Sequence, residues 1–117
     1  MEMIISDWID VGALEDIPVR GARVVKTPLG CVAVFRTADN EVFALEDRCP
    51  HAGGPLSQGI VHGRAVTCPL HNWVISLETG SVQGPDEGTT LSIAAQIENG
   101  RVLLDRRALE LRKAEAA

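Results

Sequence analysis

Two short motifs in this sequence bring together the side chains that bind soft metals. Cys49-Pro50-His51 has the spacing C-x-H, and Cys68-Pro69-Leu70-His71 has the spacing C-x-x-H. Each motif offers one thiolate and one imidazole on a tight loop. A set of two Cys and two His can hold zinc, or it can hold a [2Fe–2S] cluster with two Cys on one iron and two His on the other. Zinc fingers usually keep ligand types apart, pairing Cys with Cys and then His with His. Here each loop carries one of each, which suits a site in which both loops clamp both irons and bridging sulfides complete each tetrahedron. The spacing therefore points to an iron–sulfur cluster on Cys49, His51, Cys68 and His71. A structural zinc site is the alternative, and buried structural cysteines beside ordinary loop histidines are the plainest one.

The soft ligands left over are few. With three Cys and three His in the chain, only Cys31 and His62 remain. Cys31 alternates with its neighbours in a strand-like run and reads as a small buried hydrophobe. His62 falls at a hairpin tip and reads as an exposed turn residue. A mononuclear non-haem iron takes two further His and a carboxylate, a [4Fe–4S] cluster takes about four Cys, and dinucleotide binding takes a G-x-G-x-x-G after a strand. The sequence supplies none of these sets. The expectation is a domain that moves an electron while catalysis belongs to a partner.

The elements that must position the motifs read as short strands. Residues 8–11 alternate, and 12–18 break the pattern as a loop with a single helical turn. Residues 23–27 and 31–36 are β-branched runs separated by Pro28-Leu29-Gly30, and Ala38-Asp39-Asn40-Glu41 turns the chain into a strand at 42–45. Between the motifs, 59–61 and 65–67 flank His62-Gly63-Arg64 as a hairpin, and 73–76 continues as a strand after His71. Residues 91–93 and 95–97 alternate, Glu98-Asn99-Gly100 turns, and 102–104 closes the set. Such spacing, with almost no helical periodicity, predicts an all-β antiparallel sandwich with a cluster-binding hairpin subdomain inserted at about 47–88. Residues 106–117 are helix formers, marginal as an isolated helix. The whole of 1–117 reads as a single domain.

Composition narrows the partners. The net charge is −5, which argues against nucleic acid and suits docking on a basic patch of a protein partner. Residues 1–7 lack the basic and apolar regions of a signal peptide, and the longest apolar run, 31–35, is far too short for a membrane span. Three cysteines, two of them in the motifs, argue against a disulfide framework and for a reducing cytoplasm.

The pattern C-x-H…C-x-x-H, with Gly53-Gly54-Pro55 after the first half, resembles the Rieske family. The resemblance runs from about residue 8 to 105 and is densest over 49–88. It implies a β sandwich, a Rieske-type [2Fe–2S] cluster on Cys49, His51, Cys68 and His71, and a third, proline-bearing loop at Gly84-Pro85. It also implies that the two His present their outer ring edges to solvent. High-potential members carry a disulfide and Ser and Tyr hydroxyls around the cluster; the matching positions here hold Gly54, Leu70 and Trp73, and the chain has no Tyr. The expected potential lies in the lower half of the Rieske range of about −150 to +300 mV. Trp73 either shields the site or belongs to the core.

The segment 68–80, together with Gln83-Gly84, Asp86-Glu87-Gly88 and 49–59, is similar to the small-subunit family of NAD(P)H-dependent assimilatory nitrite reductases. That similarity implies a large partner subunit carrying FAD, [4Fe–4S] and sirohaem that reduces nitrite to ammonia. A free ferredoxin serving a ring-hydroxylating oxygenase and its reductase shares size, fold and ligands, and is the second reading.

Overall fold

A computed structural model describes residues 8–27, 30–48, 55–68, 72–83 and 88–105. Among the described residues, ten strands run in the order β1 (Trp8–Ala13), β2 (Gly21–Thr27), β3 (Gly30–Arg36), β4 (Val42–Glu46), β5 (Ile60–His62), β6 (Ala65–Thr67), β7 (Val74–Ser76), β8 (Ser92–Ile93), β9 (Ala95–Glu98) and β10 (Arg101–Asp105). Two single turns of 3-10 helix, Leu14–Asp16 and Leu56–Gln58, interrupt them. The first lies inside the stretch where the sequence calls for one helical turn. The tail at 106–117 and the loop at Gly84-Pro85 fall outside the described residues.

The strands form three antiparallel sheets, ordered β1-β10-β9, β2-β3-β4-β8 and β5-β6-β7. β4 and β8 are hydrogen-bonded neighbours, with Ala44 opposite Ile93 and Leu45 opposite Ser92. The described residues between them in sequence, including β5-β6-β7, therefore make an excursion from one sheet. This is the inserted hairpin unit that the strand spacing predicts.

Turn chemistry explains the register. Glu98 pairs with Arg101 across Asn99-Gly100, and both central residues have positive φ (53° and 76°), the tight hairpin geometry that Asn-Gly adopts readily. His62 pairs with Ala65, so the β5–β6 turn is Gly63-Arg64 with Gly63 at φ 58°. His62 is thus the last residue of a strand rather than the turn itself, because glycine takes the left-handed position. It is exposed, as the sequence reading has it.

Within the four-stranded sheet, β3 is buried on both faces over Val32–Phe35, which is why it reads as a continuous apolar run instead of alternating. Ala33, Phe35 and Leu45 face one core, shared with Leu56, Val61, Val66, Cys68, Ile75 and Leu77 of the inserted unit. Val32, Val34, Val42 and Ala44 face the other, shared with Ile17, Ile93, Val102 and Leu104. Burying a side chain such as Phe35, Leu45 or Leu56 stabilises the fold by about 1.5–3 kcal/mol. The buried residues described in the inserted unit share their core with the sheet it leaves.

Cys31 corrects the expectation of a buried hydrophobe, since its side chain is exposed. The register gives the reason. Cys31 stands near one end of β3, paired with Lys26 of β2 on one side and beyond the Val32–Glu46 pair that ends β4 on the other, where the Asp47 N–H reaches its carbonyl.

Candidate metal centre

Cys68 is the one motif residue among those described, and it follows β6 directly. Its residue exposure is 1 %, and it belongs to the core between the inserted unit and the four-stranded sheet. Cys49, His51 and His71 lie outside the described residues, as do Gly53, Gly54 and Leu70. What the structure does define is the frame that holds both motifs.

The second motif is framed by backbone. The Cys68 N–H donates to the Trp73 carbonyl at 2.7 Å, and the Asn72 N–H donates to the Cys68 carbonyl at 3.1 Å. Asn72 sits at φ 60°, a left-handed conformation that asparagine tolerates better than most residues. β7 begins at Val74, one residue later than the sequence reading, because the Trp73 carbonyl closes this turn. Trp73 is half-buried and packs against the same core as Cys68, in keeping with its core reading; the residues it would shield lie outside those described.

The first motif is framed by a side chain. Asp47 directly follows β4, and Ser57 lies in the 3-10 turn beyond the motif. Asp47 Oδ1 accepts the Ser57 N–H at 2.7 Å, and Asp47 Oδ2 accepts the Ser57 hydroxyl at 2.8 Å. The Asp47 N–H in turn donates to the Cys31 carbonyl at 2.9 Å, tying the start of the loop to β3.

The inserted unit is tied to the base at its far end as well. Arg64, in the β5–β6 turn, donates through Nε and Nη2 to the two carboxylate oxygens of Glu41 at 3.0 and 2.8 Å, and approaches Glu78 at 3.5 Å. Hydrogen bonding to Glu41 raises the guanidinium further above its ordinary value, so this surface tie remains charged. His62 places Nε2 at 2.6 Å from the Thr67 hydroxyl on the neighbouring strand, an exposed local pair. Among the described residues, no group of three or more His, Cys, Asp and Glu side chains is gathered to hold an ion.

The description Rieske [2Fe-2S] domain matches residues 7–95, and the chain belongs to that family. It is an iron–sulfur electron-transfer domain whose cofactor is a Rieske-type [2Fe–2S] cluster. The ferredoxin component of the naphthalene 1,2-dioxygenase/salicylate 5-hydroxylase systems of Ralstonia sp is 31 % identical over 100 residues, covering 85 % of this chain and 95 % of that protein. The anthranilate 1,2-dioxygenase ferredoxin subunit of Burkholderia cepacia is 40 % identical over 85 residues, covering 68 % and 73 %. Among solved structures, one described as an NADH-dependent nitrite reductase small subunit of Mycobacterium tuberculosis superposes with a TM-score of 0.76 and 26 % identity, covering 85 % of this chain and 94 % of that one.

Among the described residues, the one candidate ligand, Cys68, fits such a cluster. A thiol enclosed at 1 % exposure, at the mouth of a short backbone-closed loop, is the setting a cluster-bound thiolate takes, shielded from water and oxidant. No helix among the described residues is long and apolar enough to cross a membrane.

Proposed function

We propose that Cys49, His51, Cys68 and His71 bind the cluster, and that the chain is the electron-transfer subunit of an NAD(P)H-driven nitrite reductase, with catalysis on a separate large subunit bearing sirohaem and FAD. The observation that carries the ligand assignment is the enclosed Cys68 at the start of a C-x-x-H sequence, with its backbone locked at both N–H and C=O. Two thiolates and two neutral imidazoles would hold the irons, and when bound the cluster accepts and returns one electron at a time. This chain's own part is to keep the ligand loops in place and to exclude water from the Cys68 side.

Support for the nitrite reductase comes from the segment 68–80 and its companions at 49–59 and 83–88, and from the likeness to the Mycobacterium tuberculosis protein over nearly its whole length. The higher identities to the dioxygenase ferredoxins support a second reading, a free carrier serving a ring-hydroxylating oxygenase. Affinity capture with the tagged chain separates the two. Recovery of a sirohaem protein, and NAD(P)H-dependent nitrite reduction restored by adding the chain back, is the expected result. Recovery of an oxygenase and its reductase overturns it.

Voltammetry on the same preparation is expected to place the potential in the lower half of the span from about −150 to +300 mV, and a value above roughly +150 mV contradicts the low-potential reading of Gly54, Leu70 and Trp73.

A further inference from the structure

We propose that Asp47 and Ser57 form a clamp that closes the first ligand loop, making Asp47 a positioning residue for Cys49 and His51. The inference rests on reading those two residues as ligands. Its basis is the use of both Asp47 oxygens on a single residue: Oδ1 takes the Ser57 N–H at 2.7 Å and Oδ2 takes its hydroxyl at 2.8 Å. Hydrogen bonds to a carboxylate are about twice as strong as neutral ones, and a paired set restrains direction as well as distance.

Both halves of the clamp are rooted in the base of the fold. Asp47 is held through its N–H to the Cys31 carbonyl of β3. Ser57 is held by the wholly buried Leu56 before it and by the turn in which the Gln58 and Gly59 N–H groups donate to the Pro55 and Leu56 carbonyls. Gly59 is required at the end of that turn, because a Cβ there would run into the Thr67 carbonyl of β6. The Ser57 N–H lies at the start of a 3-10 turn, where donors have no partner inside the helix, and no neighbouring side chain caps it; Asp47 fills that place from the opposite side of the loop. Two residues ahead of Cys49 and six beyond His51, the chain is therefore pinned to itself and to the sheet.

The test uses the cluster-loaded chain and the variants Asp47→Ala, Asp47→Asn and Ser57→Ala. Two quantities are read: the rate at which visible absorbance is lost to an iron chelator without oxygen, and the visible circular dichroism of the cluster. Asp47→Ala is expected to speed loss roughly 10–100-fold, the usual cost of removing a group that orients a metal ligand, and to alter the dichroism. Ser57→Ala keeps the N–H bond and should show a smaller change in the same direction. Asp47→Asn keeps an acceptor for the N–H and offers its amide to the hydroxyl, so it should return the rate and spectrum close to wild type.

Wild-type rate and spectrum in Asp47→Ala, or an Asn variant as impaired as the Ala variant, overturns the clamp. If Asp47→Ala fails to fold, Ser57→Ala decides, and no change in either quantity overturns it. Error in the ligand reading shows itself separately: Cys49→Ser would then keep the cluster whatever the Asp47 variants do.

Discussion

The two motifs are framed by different means. Around the second, main chain bonds to main chain, with the Cys68 and Asn72 N–H groups and the Cys68 and Trp73 carbonyls satisfying one another across residues 69–71. Around the first, one carboxylate reaches over to a serine ten positions away. The short loop can close on itself because four or five residues bring N–H and C=O into range, as in any tight turn. Around the longer one, the closure seen among the described residues comes from the Asp47 side chain. Backbone closure tolerates most substitutions, whereas side-chain closure depends on two particular residues.

The largest break in this comparison comes from the ligands. Cys68→Ser is expected to yield colourless protein lacking the EPR signal of a reduced Rieske centre, and a retained cluster would remove Cys68 from the ligand set. Next come the core residues that seat each loop. Leu56→Ala under the first and Ile75→Ala under the second should each cost about 2–5 kcal/mol in denaturant unfolding, because both side chains are wholly buried in the same core. A difference of several kcal/mol between them would mean that the loops are seated unequally.

Asn72 sharpens the contrast within the second loop. Asn72→Val forces a β-branched residue into φ 60° and should cost about 1–2 kcal/mol, while Asn72→Gly should be nearly neutral. If Gly is as harmful as Val, the asparagine side chain itself takes part in closure. The smallest effect is expected at the far tie. Arg64→Gln removes an exposed pair with Glu41, and its effect on unfolding should be slight and vanish at high salt.

Most of the strand pattern was readable from the residues. β-branched runs and the Asn99-Gly100 and Gly63-Arg64 turns mark hairpins through local backbone preference, which a linear reading captures. Cys31 was not readable, because period-two alternation assumes that a strand is covered along its whole length. Its exposure depends on where β4 ends beside it. The Asp47–Ser57 clamp left no trace in the sequence either: an aspartate before a loop and a serine after it are common, and only the folded chain brings them within 2.8 Å.

By itself, then, the sequence determined the chemistry: two Cys and two His at spacings that suit an iron–sulfur cluster, no second ligand set, and strands short enough to make a sandwich. Those properties follow from residue type and local spacing, which need no fold to be read. Tertiary structure alone decided that β4 and β8 are neighbours, that one sheet serves two cores, that Cys68 is sealed while Cys31 is open, and that the Asp47 carboxylate meets Ser57. Each of these depends on groups distant in sequence meeting in space, where burial and hydrogen bonding are settled by neighbours that the local sequence does not name.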